Sequence, residues 1–385
     1  NCSSDGIHIA SNDNIIKNNT ILRCENGITV FNSSNNTIEA NAELNNSYGI
    51  FLDGSRNNTI VRNNASLNQA DGIYFLNSES NICNESLASY NEGNGIHVKG
   101  SSYNAFDNNS VRNNSKNGFY LTESNANNLT RTTAFNNDYG IYLRYSENNS
   151  ISESEAANNQ YGIRAYKSSN NIFNRNHLYD NDDEPGTGMY IESGQDNRIQ
   201  GNNASDNRDN GIFIMNSENN IIQDNQANNN NEVGIRLSGI NNNVVINNSA
   251  HLNVIGIAFF DANDNIIGGN RAESNWKGIS LEGGSNNTII ENILQINAAG
   301  IILLDSMNNK IEDNNVSDSI EGVSLYRSSY NEIQNNNISQ NWIGLSLNRS
   351  IDNSIAVNVY DRNTVGIALN MSTNNTIENR TFINN

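Results

Sequence analysis

A glycine followed by an apolar residue recurs seventeen times along the chain, at Gly6, Gly27, Gly49, Gly72, Gly95, Gly118, Gly140, Gly162, Gly188, Gly211, Gly234, Gly256, Gly278, Gly300, Gly322, Gly344 and Gly366. Successive intervals are 21, 22 or 23 residues, with a single interval of 26 between Gly162 and Gly188. A fixed period of this size leaves one kind of architecture open, a small unit stacked on copies of itself. A length of 385 residues would otherwise suggest two or three domains. A solenoid instead lengthens one continuous core turn by turn, so residues 1–385 read as a single repeat domain.

Each unit has the same internal logic. With the glycine as position zero, positions 1 and 3 are apolar in every turn, as in Ile7/Ile9, Ile28/Val30, Ile50/Leu52 and Ile367/Leu369, while position 2 varies. That alternation marks a short strand with one buried face. A second apolar site falls at position 11 (Ile38, Ile60, Leu129, Phe173, Ile289, Ile377), and a weaker one near position 16 (Ala65, Ala204, Val316). Two or three short strands per turn, separated by polar corners and with no helical segment, describe a coil of a parallel β-helix. The leucine-rich-repeat solenoid shares this period but needs a leucine-asparagine signature that is absent. Asparagine occupies position 9 almost without exception, from Asn36 and Asn58 to Asn353 and Asn375, with Asn14 in the shorter first turn. Amides stacked at roughly 4.8 Å can donate and accept along the stack as a ladder. A second column stands near position 14, including Asn63, Asn109, Asn202 and Asn314.

Composition supports the same reading. A hydrophobic content of only 35% with abundant asparagine is often a mark of disorder, but disorder keeps no apolar register through seventeen cycles. The net charge of −19 disfavours nucleic acid and anionic membranes, which require basic surface. No apolar run approaches the roughly 20 residues of a membrane-spanning helix. The chain opens at Asn1, part-way through a turn, from which we expect a processed chain with a targeting segment removed upstream. We expect no amphipathic helix to cap the repeats. Either capping domains lie outside this chain or its strand edges invite self-association, lateral or end to end.

The pattern G-I-x-apolar…N-x-I, as in Gly49-Ile50-Phe51-Leu52…Asn58-Thr59-Ile60 and Gly366-Ile367…Asn375-Thr376-Ile377, resembles the right-handed β-helix repeats of the NosD-like and carbohydrate-binding/sugar-hydrolase (CASH) families. The resemblance covers essentially the whole chain. It implies an all-β, right-handed parallel β-helix of about seventeen coils of 21–26 residues with asparagine ladders. Those families include polysaccharide enzymes, accessory proteins and surface proteins, so it implies no single activity.

Polysaccharide hydrolysis on such a scaffold needs paired carboxylates about 5–10 Å apart. The densest acidic group is Asp180, Asp182, Asp183 and Glu184, in the enlarged turn beside Pro185, the only proline. It reads either as a cation or ligand loop spanning Asp182–Thr187 or as a solvated excursion, and the latter is favoured. Glu153 and Glu155 read as strand decoration. His8, His97, His177 and His251 show no metal-ligand spacing, and the methionine and histidine clusters of a copper site are missing. No nucleophile motif and no threonine ladder of an ice-binding face is present. No catalytic, cofactor or metal residue is therefore assigned.

The most distinctive surface is position 2, which reads Phe51, Tyr74, His97, Tyr120, Tyr142, Arg164, Tyr190, Phe213 and Arg236 before small residues such as Ala258 and Ser280 take over. Such a stripe either binds sugar rings or another protein, or stiffens the sheet by cross-coil packing. Trp276 and Trp342, both at position 20, are expected to cover the core at a corner. Cys2 and Cys24 lie 22 residues apart, one turn, and are expected to pair as a disulfide in an extracellular setting. Cys83 takes a core position and is expected to be a buried thiol. Asn-x-Ser/Thr sequons include Asn18, Asn35, Asn57, Asn148, Asn286 and Asn374, candidate glycosylation sites on a surface protein. The favoured function is a non-enzymatic, acidic cell-surface β-helix assembling into a layer, sheath or filament. The alternative is an extracellular carbohydrate-binding or polysaccharide-processing β-helix.

Overall fold

Interior columns of apolar side chains run through each stack of coils, one residue per turn, and they dictate everything else. The computed structural model describes residues 4–385. It comprises two compact units, Asn1–Asn197 and Arg198–Asn385, each a stack of parallel β-coils. Positions 1, 3, 11 and 16 all face inward. In the first unit Ile28, Val30, Ile38 and Ala65 are fully buried, and in the second Ile279, Leu281, Ile289 and Leu294 are likewise. Pairing is parallel and in register from turn to turn. Ile28 aligns with Ile50 and Ile38 with Ile60; in the second unit Ile289 aligns with Ile311 and Leu294 with Val316. Like side chains thus stack on like, which is how a chain of low hydrophobic content still fills a dry interior.

A coil bends at four corners, and most corners use the same two-residue device. The first residue adopts a positive φ, and the next points inward to bond the neighbouring turns. In the turn of Gly27 the positive-φ residues are Asn32, Asn35, Ala40 and Asn45, with φ of 45°, 58°, 53° and 57°. The inward residues that follow are Ser33, Asn36, Asn41 and Asn46, all buried. This separates two roles for asparagine. At positions 8 and 18 it serves because it tolerates the left-handed conformation; at positions 9, 14 and 19 it serves because its amide bonds three ways.

Asn58 shows the bonding in full. Its Oδ1 accepts from the Asn36 backbone N–H at 2.9 Å and from Asn36 Nδ2 at 3.1 Å. Its Nδ2 donates to the Ser33 carbonyl at 3.0 Å and to Asn81 Oδ1 at 3.1 Å. The ladders at positions 9 and 14 are those the spacing predicts. A third, at position 19, escaped the sequence reading: Asn68 to Asn91 in the first unit and Asn230 to Asn253 in the second. A serine column at position 6 closes the fourth corner, as where Ser328 N–H donates to Ser350 Oγ at 3.1 Å. These side chains satisfy corner backbone groups that no strand can pair and that would be costly left bare in the interior.

The repeat glycine is required by close approach. A Cβ on Gly322 would lie 2.6 Å from the Gly344 carbonyl oxygen and 2.9 Å from Ile338 Cγ2. The long interval emerges as a surface excursion at Asp182–Pro185, tied back where the Gly186 and Thr187 N–H groups both donate to the Gln160 carbonyl at 3.1 Å. The stack resumes at Thr187–Glu192 in register with Tyr161–Tyr166.

Candidate functional site: the aromatic stripe

Position 2 lies between two buried residues on the strand that opens each coil, so parallel register carries its side chain from turn to turn at one lateral place. In the first unit this produces a continuous column of rings. Phe51 stacks on Tyr74 at 5.2 Å between centroids, Tyr74 on His97 at 4.6 Å, His97 on Tyr120 at 4.9 Å and Tyr120 on Tyr142 at 5.1 Å. The rings are within 14° to 21° of parallel along this run. Tyrosines just before the repeat glycines widen the stripe, which the sequence reading missed. Tyr48 stacks against Phe51 and Tyr74, Tyr139 meets Tyr142 edge-on, and Tyr161 stacks on Tyr190.

This geometry decides what the stripe presents. Each ring covers the faces of its neighbours and turns its edge outward, whereas a sugar needs an open ring face to stack upon. Burial in the column shows in the phenols. Tyr74 is pushed up to about 12, first by burial and then by the nearby charge of Asp71. Tyr190 is pushed up to about 12 by burial and by Glu192.

Arg164 ends the run by insertion. Its guanidinium carbon lies 5.2 Å from the Tyr139 ring centroid and 5.6 Å from that of Tyr190. It donates to Tyr139 Oη at 2.9 Å and pairs with Glu192 at 3.4 Å. In the second unit Arg236 plays the same part between Phe213 and Phe260, at 4.8 Å and 5.0 Å. Beyond it Ala258 and Ser280 are buried and the stripe stops.

One place in the column has the elements of acid–base chemistry. His97 Nδ1 lies 2.9 Å from Asp71 Oδ2, and the other Asp71 oxygen accepts from the Asn94 backbone N–H at 2.6 Å and side-chain amide at 2.8 Å. A cleft of about 310 Å³ beside it is lined by Tyr48, Asp71, Glu92, His97, Lys116 and Tyr120. An imidazole oriented by a carboxylate, next to an amine and a phenol, has the composition of a proton-transfer site. Its free nitrogen, Nε2, is nevertheless buried with no hydrogen-bond partner, sealed within the stack instead of facing the cleft.

The acidic excursion borders a second cleft, of about 510 Å³, lined by Asn114, Asn136, Asp138, Asn158, Asp182 and Asp183. Burial, and then the charge of Asp183, raises the Asp138 carboxyl above its usual range. Asp180, Asp182, Asp183 and Glu184 are exposed, as are Glu153 at a positive-φ corner and Glu155 at a strand start. The structure does not bring the four histidines together.

Other sequence-derived sites fall as follows. Asn18, Asn35, Asn57, Asn148, Asn286 and Asn374 all occupy exposed, positive-φ corners. Cys2, and with it the pairing to Cys24, lies outside the described residues. Cys83 is fully buried, and burial pushes its thiol up to about 12. The tryptophans depart from expectation. Trp276 and Trp342 are 67% and 63% exposed, because position 20 follows the inward asparagine of position 19 and therefore points away from the core.

Comparison with known proteins agrees with this architecture. The family model described as "Right handed beta helix region" matches residues 1–111 and 94–239. The model described as "Periplasmic copper-binding protein (NosD)" matches residues 231–385. Among the described residues no group of three or more His, Cys, Asp or Glu is arranged to hold a metal ion. No curated protein sequence matches the chain. The periplasmic alginate epimerase AlgG is similar in structure, at 15% identity and a TM-score of 0.47 over 86% of this chain and 76% of that one. The A-module of the Azotobacter vinelandii mannuronan C-5 epimerase AlgE6 is similar at 12% identity and a TM-score of 0.35, over 92% of this chain and 90% of that one. The Dettilon tailspike protein is similar at 13% identity and a TM-score of 0.42, over 83% of this chain and 62% of that one. With its model matching from residue 1 to residue 239 of 385, the protein belongs to the right-handed β-helix family.

Proposed function

We propose that this protein is a non-enzymatic structural component of a cell surface, an acidic β-helix that assembles into a layer, sheath or filament. The observation that carries the reading is the state of its most distinctive surface. The aromatic rings between Phe51 and Tyr142 are packed face to face on one another, which spends them on stiffness instead of on a ligand. The description of the matching NosD model as periplasmic supports a location outside the cytoplasm. The six exposed sequon asparagines supply attachment points for glycans in that setting.

A second reading, binding or processing of a polysaccharide, is favoured by one feature, the Asp71–His97 pair beside Lys116 and Tyr120. It requires the column to open so that Nε2 reaches substrate. Electron microscopy of the purified chain, together with turnover assays on a panel of neutral and acidic glycans, separates the two. Polymers without turnover are expected. Dispersed particles that turn over a glycan, with activity lost in His97→Gln, would overturn the structural reading.

A further inference from the structure

We propose that the unit Arg198–Asn385 carries a self-association surface: an exposed tryptophan ridge on which a second copy of this chain docks antiparallel. The inference rests on the assembly reading above and names the surface responsible.

The ridge is built by register. Position 20 of successive turns is Val254, Trp276, Ala298, Ile320 and Trp342. Backbone bonds tie these places together one above another. Lys277 N–H donates to the Val254 carbonyl at 3.1 Å, Ala299 to Trp276 at 3.0 Å, Glu321 to Ala298 at 3.0 Å and Ile343 to Ile320 at 2.9 Å. Trp276 and Trp342 are three turns apart, roughly 14 Å at one strand spacing per turn. Unlike the rings of the first unit, they have no aromatic neighbour in the column.

Exposure here is not incidental. Val254 is 46% exposed, Trp276 67%, Ile320 60% and Trp342 63%. The adjoining corner adds Leu252 at 60% and Ile296 at 63%. Both corner residues hold a positive φ, 58° and 55°, where asparagine would be relaxed and a β-branched side chain is strained. In the first unit the same position 20 is polar, as Gln69, Ser115, Asp138 and Gln160. Apolar residues therefore stand where the fold neither buries nor prefers them, the pattern of a surface kept for a partner. The apolar area is on the order of 600 Å², about half of it from the two indoles. That approaches the roughly 800 Å² each partner contributes to a stable interface.

The order of residues selects the occupant. Reading Trp276, Ala298, Ile320, Trp342 in reverse places tryptophan on tryptophan and isoleucine on alanine. A twofold axis between Ala298 and Ile320 thus makes the ridge complementary to itself, large side chains filling the places of small ones. The same axis brings Lys277 within one turn of the partner's Glu321. A parallel arrangement would set Asp318 beside the partner's Glu321, like charges facing each other.

The test uses the full chain, whose only tryptophans are these two, so intrinsic fluorescence reports the ridge alone. Sedimentation velocity across a concentration series should show dimers, with a blue shift of tryptophan emission accompanying association. Trp342→Ser should weaken association at least tenfold with an unchanged far-ultraviolet circular dichroism spectrum. Lys277→Glu should weaken it as well, and adding Glu321→Lys should restore it. A chain that stays monomeric with unshifted emission overturns the proposal, as does a dimer indifferent to Trp342→Ser. So does a blue shift produced in the monomer by soluble glycans, which would make the ridge a sugar platform. Polymers that persist in micrographs of Trp342→Ser overturn the ridge alone. A tryptophan-dependent dimer that never forms polymers overturns the surface-layer reading alone.

Discussion

Glu43 is an acid built into the apolar interior, and its removal should stabilise the protein in a way that depends on pH. It occupies position 16, in the column that holds Ala65 and Ala88 in the next turns, and pairs in register with Ile21. Its side chain is fully buried, and neither carboxyl oxygen has a hydrogen-bond partner. Burial pushes its pKa from the ordinary 4.5 up to about 8, offset only slightly by its own backbone amide. Below pH 4.5 the group is protonated in both folded and unfolded chains and has no effect on the pH dependence. Between about 4.5 and about 8 the unfolded chain releases the proton while the folded chain holds it, so stability falls as pH rises. At 1.36 kcal/mol per unit the loss is about 3 kcal/mol at pH 7 and about 5 kcal/mol above pH 8.

Alanine fits this site, since the two turns that follow already use it. Glu43→Ala forfeits burial of one methylene, about 0.8 kcal/mol, and abolishes the titration. The variant should match or trail the parent at pH 4 and exceed it by a few kcal/mol at pH 8. Urea melts followed by circular dichroism at pH 4, 6 and 8 measure the difference. Hydrogen exchange in strand Ala42–Leu44 locates it, which matters because stacked repeats can open locally. A parent-minus-variant difference that stays constant across these pH values would refute the reasoning, because it would mean Glu43 ionises in place without penalty.

Three further outcomes follow from the same structure. Asn309→Ala removes the acceptor for the Asn287 backbone N–H and the donor to the Gly284 carbonyl. Gly284 keeps its bond from the Met307 N–H at 3.1 Å, so one buried group, the Asn287 N–H, is stranded and the loss should be about 1–3 kcal/mol in urea melts. Tyr74 should remain protonated when ordinary tyrosines ionise near 10 and titrate at about 12; ultraviolet difference titration of Tyr74→Phe should shrink that late phase, which Tyr190 shares, by one tyrosine and leave the earlier phase unchanged. The Cys83 thiol, buried and pushed up to about 12, should resist a thiol-disulfide reagent at pH 8 in the native protein and react promptly in denaturant. Prompt native labelling of Cys83 would show that its turn opens readily.

Much of this molecule was readable because its period is strict. The columns at positions 1, 3 and 11 admit only apolar residues, so Ile28, Val30 and Ile38 announce themselves. The ladder at position 9 shows for the same reason. The third ladder did not, because asparagine serves both as an inward bonder, as Asn46, and as a positive-φ corner, as Asn45. Composition alone does not separate those roles. Glu43 was equally hidden, since position 16 carries small and large residues alike and one glutamate among many suggests nothing. The stripe was visible in the sequence, but the part played by Tyr48, Tyr139 and Tyr161 depended on ring placement across turns.

What the sequence by itself determined is the repeat. Seventeen glycines, sixteen of them denied a side chain by the carbonyl or side chain that would meet it, and the apolar pairs that follow them admit only a parallel stack with a dry interior. What tertiary structure alone decided is the direction and exposure of side chains that the period leaves free. Whether a ring shows its face or its edge depends on the distance to the ring one turn away. For that reason Tyr74 and Tyr120 sandwich His97, whereas Trp276 and Trp342, with only Ala298 and Ile320 between them, stand open to solvent.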